Sequence, residues 1–247
     1  MADPRTIYDK LKQRMAEVAE LETIRWVLEW DEQTEMQSAG ASWRGRQAAL
    51  IDGLAHERAT DPKIGELISE LENTGDALGE ADNPERVNIR EWRRDYDRRV
   101  KLPKSLVEEM TRTAVEGRAA WVEARKNKTF STFAPWLSKS FKLARKAADL
   151  YGHNGEPYDA LLEGYEPGIT SKQASEMLRD LRQRLVPLIE AVANAKRRPE
   201  RKHLQGNFPL ATQQAFNAEV ATWIGYDLTR GGIGETVHPF CITLGPD

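Results

Sequence analysis

Four histidines, one cysteine and several acidic pairs are the groups that could do chemistry in this 247-residue chain. Zinc hydrolysis on a helix usually takes His-Glu-x-x-His. Two imidazoles four apart then share a face, and the glutamate acts as general base. The nearest approach is His56-Glu57-Arg58-Ala59-Thr60, where Thr60 stands in place of the second histidine. His153, His203 and His238 are widely spaced and form no helical ligand pair. A zinc site within this chain would have to be assembled from loops, and none is expected. Cys241 follows His238 by three residues, so on an extended ribbon the two face opposite ways. A buried structural cysteine is the expectation. Gly231-Gly232-Ile233-Gly234 lacks the Gly-Lys-Ser/Thr ending of a phosphate loop and reads as a turn. Asp31-Glu32 and Glu108-Glu109 are adjacent, and helix neighbours do not face one another, so neither forms an acid–base couple. His238-Pro239-Phe240 is left. Proline fixes its own φ and pushes the preceding residue into an extended conformation. The imidazole is thus presented by stiff backbone, either toward a substrate or simply to pin its own ribbon.

The elements that must position these groups are mostly helical. Tyr8, Leu11, Met15, Val18, Leu21, Ile24 and Leu28 alternate by three and four, the pattern of one helical face. Asp3-Pro4 opens that helix, which is predicted to end near Trp30. A second helix is predicted from about Ser42 to Arg58. Asp61-Pro62 opens a third, Asn83-Pro84 a fourth, and a fifth follows Leu102-Pro103. A sixth carries Phe130, Phe133, Leu137 and Phe141, with Pro135 in its first turn. Residues 151–168 are rich in glycine and proline and read as loop. Thr170-Ser171-Lys172-Gln173 predicts a capping box for a long seventh helix. Its stripe is Ala174, Leu178, Leu181, Leu185, Leu188 and Val192, with a kink expected at Pro187. Phe208-Pro209 starts a last helix, stopped by Gly225. Beyond it Val237, Phe240, Ile242 and Leu244 suggest a short extended ribbon. The expectation is an all-α protein, residues 1–247 forming a single helical domain with a short β element near its C-terminal end.

Composition supports that picture and removes some functions. The chain is 40% hydrophobic and 30% charged, which suits helices with wide solvated faces. Its 36 basic and 39 acidic residues leave a net charge of −3, so no global field favours nucleic acid or an anionic membrane. Arg93, Arg94, Arg98, Arg99 and Lys101 interleave with Glu91, Asp95 and Asp97, the pattern of an ion-paired helix face. Most tryptophans fall on core stripes, where packing is the expected role. No apolar run is long enough to span a bilayer. Met1-Ala2-Asp3-Pro4-Arg5 leads straight into a charged helix without signal-peptide character. The single cysteine excludes an internal disulfide. The chain is expected to be cytoplasmic, without nucleic-acid or membrane partners.

Three stretches together resemble the carboxypeptidase Taq family of zinc- or cobalt-dependent metallocarboxypeptidases. Trp30-Asp31, Thr34 and Met36, then Arg44-Gly45-Arg46-Gln47 and His56-Glu57, are similar to its N-terminal region. The run from Tyr158 to Gly168, with Leu161-Leu162 and Tyr165-Glu166-Pro167-Gly168, resembles its central stretch. His238-Pro239-Phe240 matches its His-Pro-Phe motif, preceded by a helix end at Gly225-Tyr226-Asp227. The resemblance runs along nearly the whole chain and covers about the first half of a family member.

The resemblance implies a mostly helical body with a long cleft, an incomplete zincin-type peptidase fold, and usually a homodimer. It implies removal of C-terminal amino acids from peptides with broad specificity, zinc or cobalt being the cofactor of the full-length parent. His238, Pro239 and Phe240 carry over as substrate-side residues bordering the cleft. The family's Asp-x-Arg-x-Thr motif comes next, and Asp247 stands at or just before its start. The His-Glu-x-x-His ligands lie later still, so this chain holds neither catalytic residues nor metal ligands and is expected to be inactive alone. Two departures fall near the cleft and the N-terminal motif. Gly231-Gly232-Ile233-Gly234 replaces the usual Gly-Arg-x-Asp, and Gln37 stands where a proline is usual. The other reading is a non-catalytic helical peptide-binding or interaction protein built on the same fold.

Overall fold

A computed structural model describes residues 3–74, 78–197 and 199–245, without the side chain of His203. Among them are nine α-helices and no strand. The backbone separates into two compact units. One runs through Leu161 and takes back the segment from Thr236; the other spans Leu162–Glu235.

The first unit contains α1 (Pro4–Thr34), α2 (Ala41–Ala59), α3 (Pro62–Glu72), α4 (Pro84–Arg99), α5 (Lys104–Asn127), α6 (Phe130–Tyr151) and α7 (Pro157–Leu162). The three X-Pro starts behave alike. Asp3, Asp61 and Asn83 each accept a hydrogen bond from a backbone N–H of the first turn, while the proline occupies a position whose N–H has no partner to give. Side chains of α1, α3 and α4 form one core, centred on Ile7, Leu11, Ile64, Ile68 and Ile89. Gly65 lets the ring of Tyr96 lie against α3. A Cβ there would come within 2.8 Å of the ring.

The packing of α2 follows a different logic. Its buried positions include Gly45, Ala48, Ala49, Gly53 and Ala55, all small. Small side chains let α1 approach from one side and α5 from the other, so α2 is the element both pack upon. At its C-terminal end the buried His56 gives its Nε2 hydrogen to the carbonyl oxygen of Leu102 at 2.7 Å, tying α2 to the turn before α5. Burial, helped by Arg99 and Lys104, holds its pKa below the usual 6.5 against the opposing pull of that carbonyl.

The second unit holds α8 (Ser171–Ala193) and α9 (Leu210–Trp223). The Thr170/Gln173 capping box is formed in both directions, and α8 runs unbroken through Pro187. α9 ends in a Schellman turn. Gly225 takes φ +96°, with its N–H on Thr222 and that of Tyr226 on Ala221. No described residue of this unit is buried. Leu178, Leu181, Leu185, Leu188 and Val192, the predicted stripe of α8, are all exposed.

Several expectations are corrected. No strand forms over Thr236–Leu244; the segment bends at Val237-His238 and pairs with no other backbone among the described residues. A ribbon needs a partner for its N–H and C=O groups, and Pro239 has no N–H to offer. Without a second strand Cys241 is exposed rather than buried. α6 begins at Phe130, so Pro135 falls in its second turn instead of its first. The stretch 151–168 contains the short helix α7. Trp43 and Trp223 are exposed, not core.

The two units predict opposite responses to the same truncation. Leu11 is fully buried, and Leu11→Ala should cost about 3 kcal/mol in a denaturant titration of this chain. Leu185 is 42% exposed, and Leu185→Ala should stay within about 0.5 kcal/mol.

Candidate functional site

His238 lies against α5. Its ring meets the edge of Trp121 with centroids 6.2 Å apart. Arg125 sits over the same indole at 5.4 Å and points Nη1 at the Val237 carbonyl, 3.5 Å away. These contacts hold the bend where a ribbon was expected to do so. His238 Nδ1 is 3.0 Å from the carbonyl oxygen of Pro239. A carbonyl only accepts, so Nδ1 carries the hydrogen, and in the neutral ring Nε2 keeps its lone pair.

Beside this imidazole is a cavity of about 430 Å³. α1 contributes Arg25, Glu29 and Glu32, spaced by four and three and therefore on one helical face. α5 contributes Thr113, Arg118 and Trp121, and α6 adds Phe133. Apolar walls are thus closed at one side by a charged group of four residues. Arg25 is held by Asp52 at 3.3 Å and Glu29 at 3.4 Å. Asp52 also accepts from the Thr111 hydroxyl at 2.6 Å. Arg118 donates to Gln33 at 2.6 Å and reaches Glu32 only at 3.8 Å.

Glu32 is the unusual member. Its side chain is 5% exposed, and among the described residues no hydrogen bond reaches its carboxylate. Burial raises its pKa above the ordinary 4.5; Arg118 and Arg25 pull it back, Glu29 adds to the rise, and Arg44 opposes it. The buried hydroxyl of Thr113 likewise has no partner.

Of the substrate-side residues expected from the resemblance, His238 alone lines the cavity. Pro239 is exposed and Phe240 half-buried. His56 is at the far end of α2, and His153 pairs with Asp149 at 3.4 Å. The side chain of His203, and Asp247, lie outside the described residues. Asp31 and Glu32 do turn to different partners, Arg44 and Arg118. So do Glu108 and Glu109, toward Arg112 and Lys139. Glu32, Arg118 and Trp121 were not legible as site residues. The available signal was the spacing of Arg25, Glu29 and Glu32, which marks a charged stripe beside the apolar face of α1.

The motif stretches now have physical roles. Arg44 joins α2 to α1 by donating to the Asp31 carboxylate at 2.5 Å and the Leu28 carbonyl at 2.6 Å. In the central stretch Glu163 accepts the N–H of Gly168 at 2.8 Å, closing a turn in which Gly168 takes φ +78°. The profile of the family described as Carboxypeptidase Taq (M32) metallopeptidase matches residues 10–247. The chain belongs to that family. Thermostable carboxypeptidase 1 of Thermus thermophilus is 32% identical over 98% of this chain and 49% of that protein. The carboxypeptidase structure from Deinococcus radiodurans is 31% identical with a TM-score of 0.76, covering 97% of this chain and 47% of that one. Trypanosoma cruzi metallocarboxypeptidase 1 is 28% identical with a TM-score of 0.74, over 96% and 47%. The chain therefore spans about half the length of the relatives it matches.

The family is metal-dependent. Among the described residues no group of three or more His, Cys, Asp or Glu side chains is arranged to hold an ion. Glu29 and Glu32 are opposed by two arginines, an environment that repels a cation needing several anionic ligands. No step through a metal is derived from these side chains.

Glu32 makes a pH prediction. An acid whose pKa is raised in the folded state favours folding when protonated. That contribution is complete below the ordinary 4.5 and is lost as pH rises through the raised value. The neutral Glu32→Gln should therefore melt a few degrees above the parent at pH 7. The gap should close as melting curves are taken down toward pH 4.

Proposed function

We propose that this chain is the N-terminal portion of a metal-dependent carboxypeptidase that removes C-terminal amino acids from peptides with broad specificity. The observation that carries the proposal is the family match, which runs over residues 10–247 across both compact units. That continuity also supports a single peptidase domain to which both units belong. Zinc or cobalt, with the ligands and general base, would come from the length of the relatives that this chain does not span. The contribution of these residues is to shape one side of a peptide cleft. His238 presents Nε2 as an acceptor, suited to a peptide N–H, while Pro239 stiffens its backbone and the half-buried Phe240 follows beside the cleft.

The remaining expectations are proposals of the same kind. Homodimer formation would be a property of the whole enzyme. A cytoplasmic location suits a chain whose single cysteine is free. No described helix is long and apolar enough to cross a membrane. Arg93 pairs with Glu72 and Asp97, and Arg94 with Glu91, so much of the basic face of α4 is already neutralised.

Hydrolysis of a blocked dipeptide with added zinc or cobalt tests the proposal. The chain of 247 residues alone should release no amino acid, and calorimetric titration with zinc should show no tight site. A protein of the relatives' length containing this sequence should be active. In it, His238→Ala should lower turnover by about tenfold or more, roughly 1.4 kcal/mol of barrier, with the melting temperature within a few degrees. An inactive longer protein that still binds peptides would favour the non-catalytic interaction module. Turnover by the chain alone would overturn the assignment of the ligands elsewhere.

A further inference from the structure

We propose that the exposed stripe of α8 is a docking face, covered by an apolar face of the polypeptide that the relatives carry outside the part matched here. The docking rests on the reading of this chain as the N-terminal portion of a longer peptidase, and adds to it a place of contact.

The pattern comes first. Leu178, Leu181, Leu185, Leu188, Ile189 and Val192 share one side of α8 for about 21 Å. Each is between 42% and 66% exposed. A single exposed leucine is ordinary, but a continuous apolar stripe of this length marks a contact surface. Pro187 falls on the opposite, polar side, where the carbonyl it leaves without a donor can take water. The stripe itself is uninterrupted. On α3 a stripe of the same kind, Ile64, Leu67, Ile68 and Leu71, is buried. The two helices differ in what lies opposite them, not in pattern.

The occupant follows from length and charge. The family match runs through α8. The chain spans 49% of the Thermus relative and 47% of the Deinococcus one, so a protein of that length holds as much polypeptide again. The second unit has no buried residue among those described, so it gives α8 no core of its own. A lipid surface fits less well. Helices that lie on membranes carry mainly Lys and Arg on the polar face. In α8, Glu176, Asp180 and Glu190 stand among the bases, and Asp180 pairs with Arg184 at 3.2 Å.

Amide hydrogen exchange on two proteins tests this: the chain of 247 residues, and a protein of the relatives' length containing it. In the chain, the α8 amides should exchange far faster than those of the buried α3. In the longer protein they should slow by about a hundredfold or more. Leu185→Ala, nearly neutral in the chain, should lower the melting temperature of the longer protein by a few degrees. Gln183→Ala, on the polar side, should not. Equally fast α8 amides in the longer protein would overturn the docking, and so would a neutral Leu185→Ala there. Slow α8 amides in the chain alone would overturn it too, and sedimentation would then show whether a second copy is the cover. Exchange in the unaltered proteins decides the matter even if a variant does not fold. No hydrolysis is measured. An inactive longer protein with a protected α8 keeps the docking and counts against the peptidase reading, and an active one with an open α8 does the reverse.

Discussion

The small residues of α2 are the constraint on which the first unit depends. Gly45, Ala48, Ala49 and Gly53 let two long helices lie close on either side of one. At Gly53 even a methyl group would come within 2.6 Å of the Glu108 carboxylate. This spacing sets where the Glu32 face of α1 and the Arg118 face of α5 can meet. Larger side chains on α2 would drive both helices outward and separate Glu32 from Arg118. The site thus depends on residues that touch no ligand, which is usual where a rigid scaffold holds polar groups in register.

Charge is handled in two ways around that scaffold. Arg44 and Asp31 form a short pair, and Arg44 also bonds a helix carbonyl, so both ions have partners that replace water. Glu32, one residue along, is largely buried and faces a more distant arginine at 3.8 Å. A helix turns about 100° per residue, so consecutive acids of one motif face different neighbours. One becomes a clasp between α1 and α2. Its neighbour faces a cavity opposite Arg118, where burial raises its pKa.

The legible parts of the sequence were those governed by local rules. Each X-Pro helix start, the Thr170 capping box and the Gly225 stop depend on neighbours within a few residues, and each forms as read. The ribbon at Thr236–Leu244 failed because a strand requires a second strand, which no local pattern guarantees. Cys241 failed with it. The spacing of Arg25, Glu29 and Glu32 shows that the three side chains share a face, without showing what lies opposite. His238 stood out because proline stiffens it locally. What it faces, Trp121 and a cavity shared with Glu32, comes from sequence positions far away.

The stripe of α8 carries the same lesson in reverse. Leu178, Leu181, Leu185 and Leu188 have the periodicity of a core helix, yet each is more than two-fifths exposed. Burying such side chains is worth about 1.5–3 kcal/mol each, and a capping box contributes about 1. The pattern therefore encodes a surface that this chain does not itself cover. That agrees with a chain spanning about half the length of its relatives. The same division holds for the chemistry. The described residues supply an oriented imidazole, a largely buried carboxylate paired to an arginine, and apolar walls. They assemble no cluster of metal ligands, the group a metallopeptidase needs to activate water. Hydrophobic pattern and polar inventory both fit the reading proposed above, in which the reactive centre lies outside the described residues.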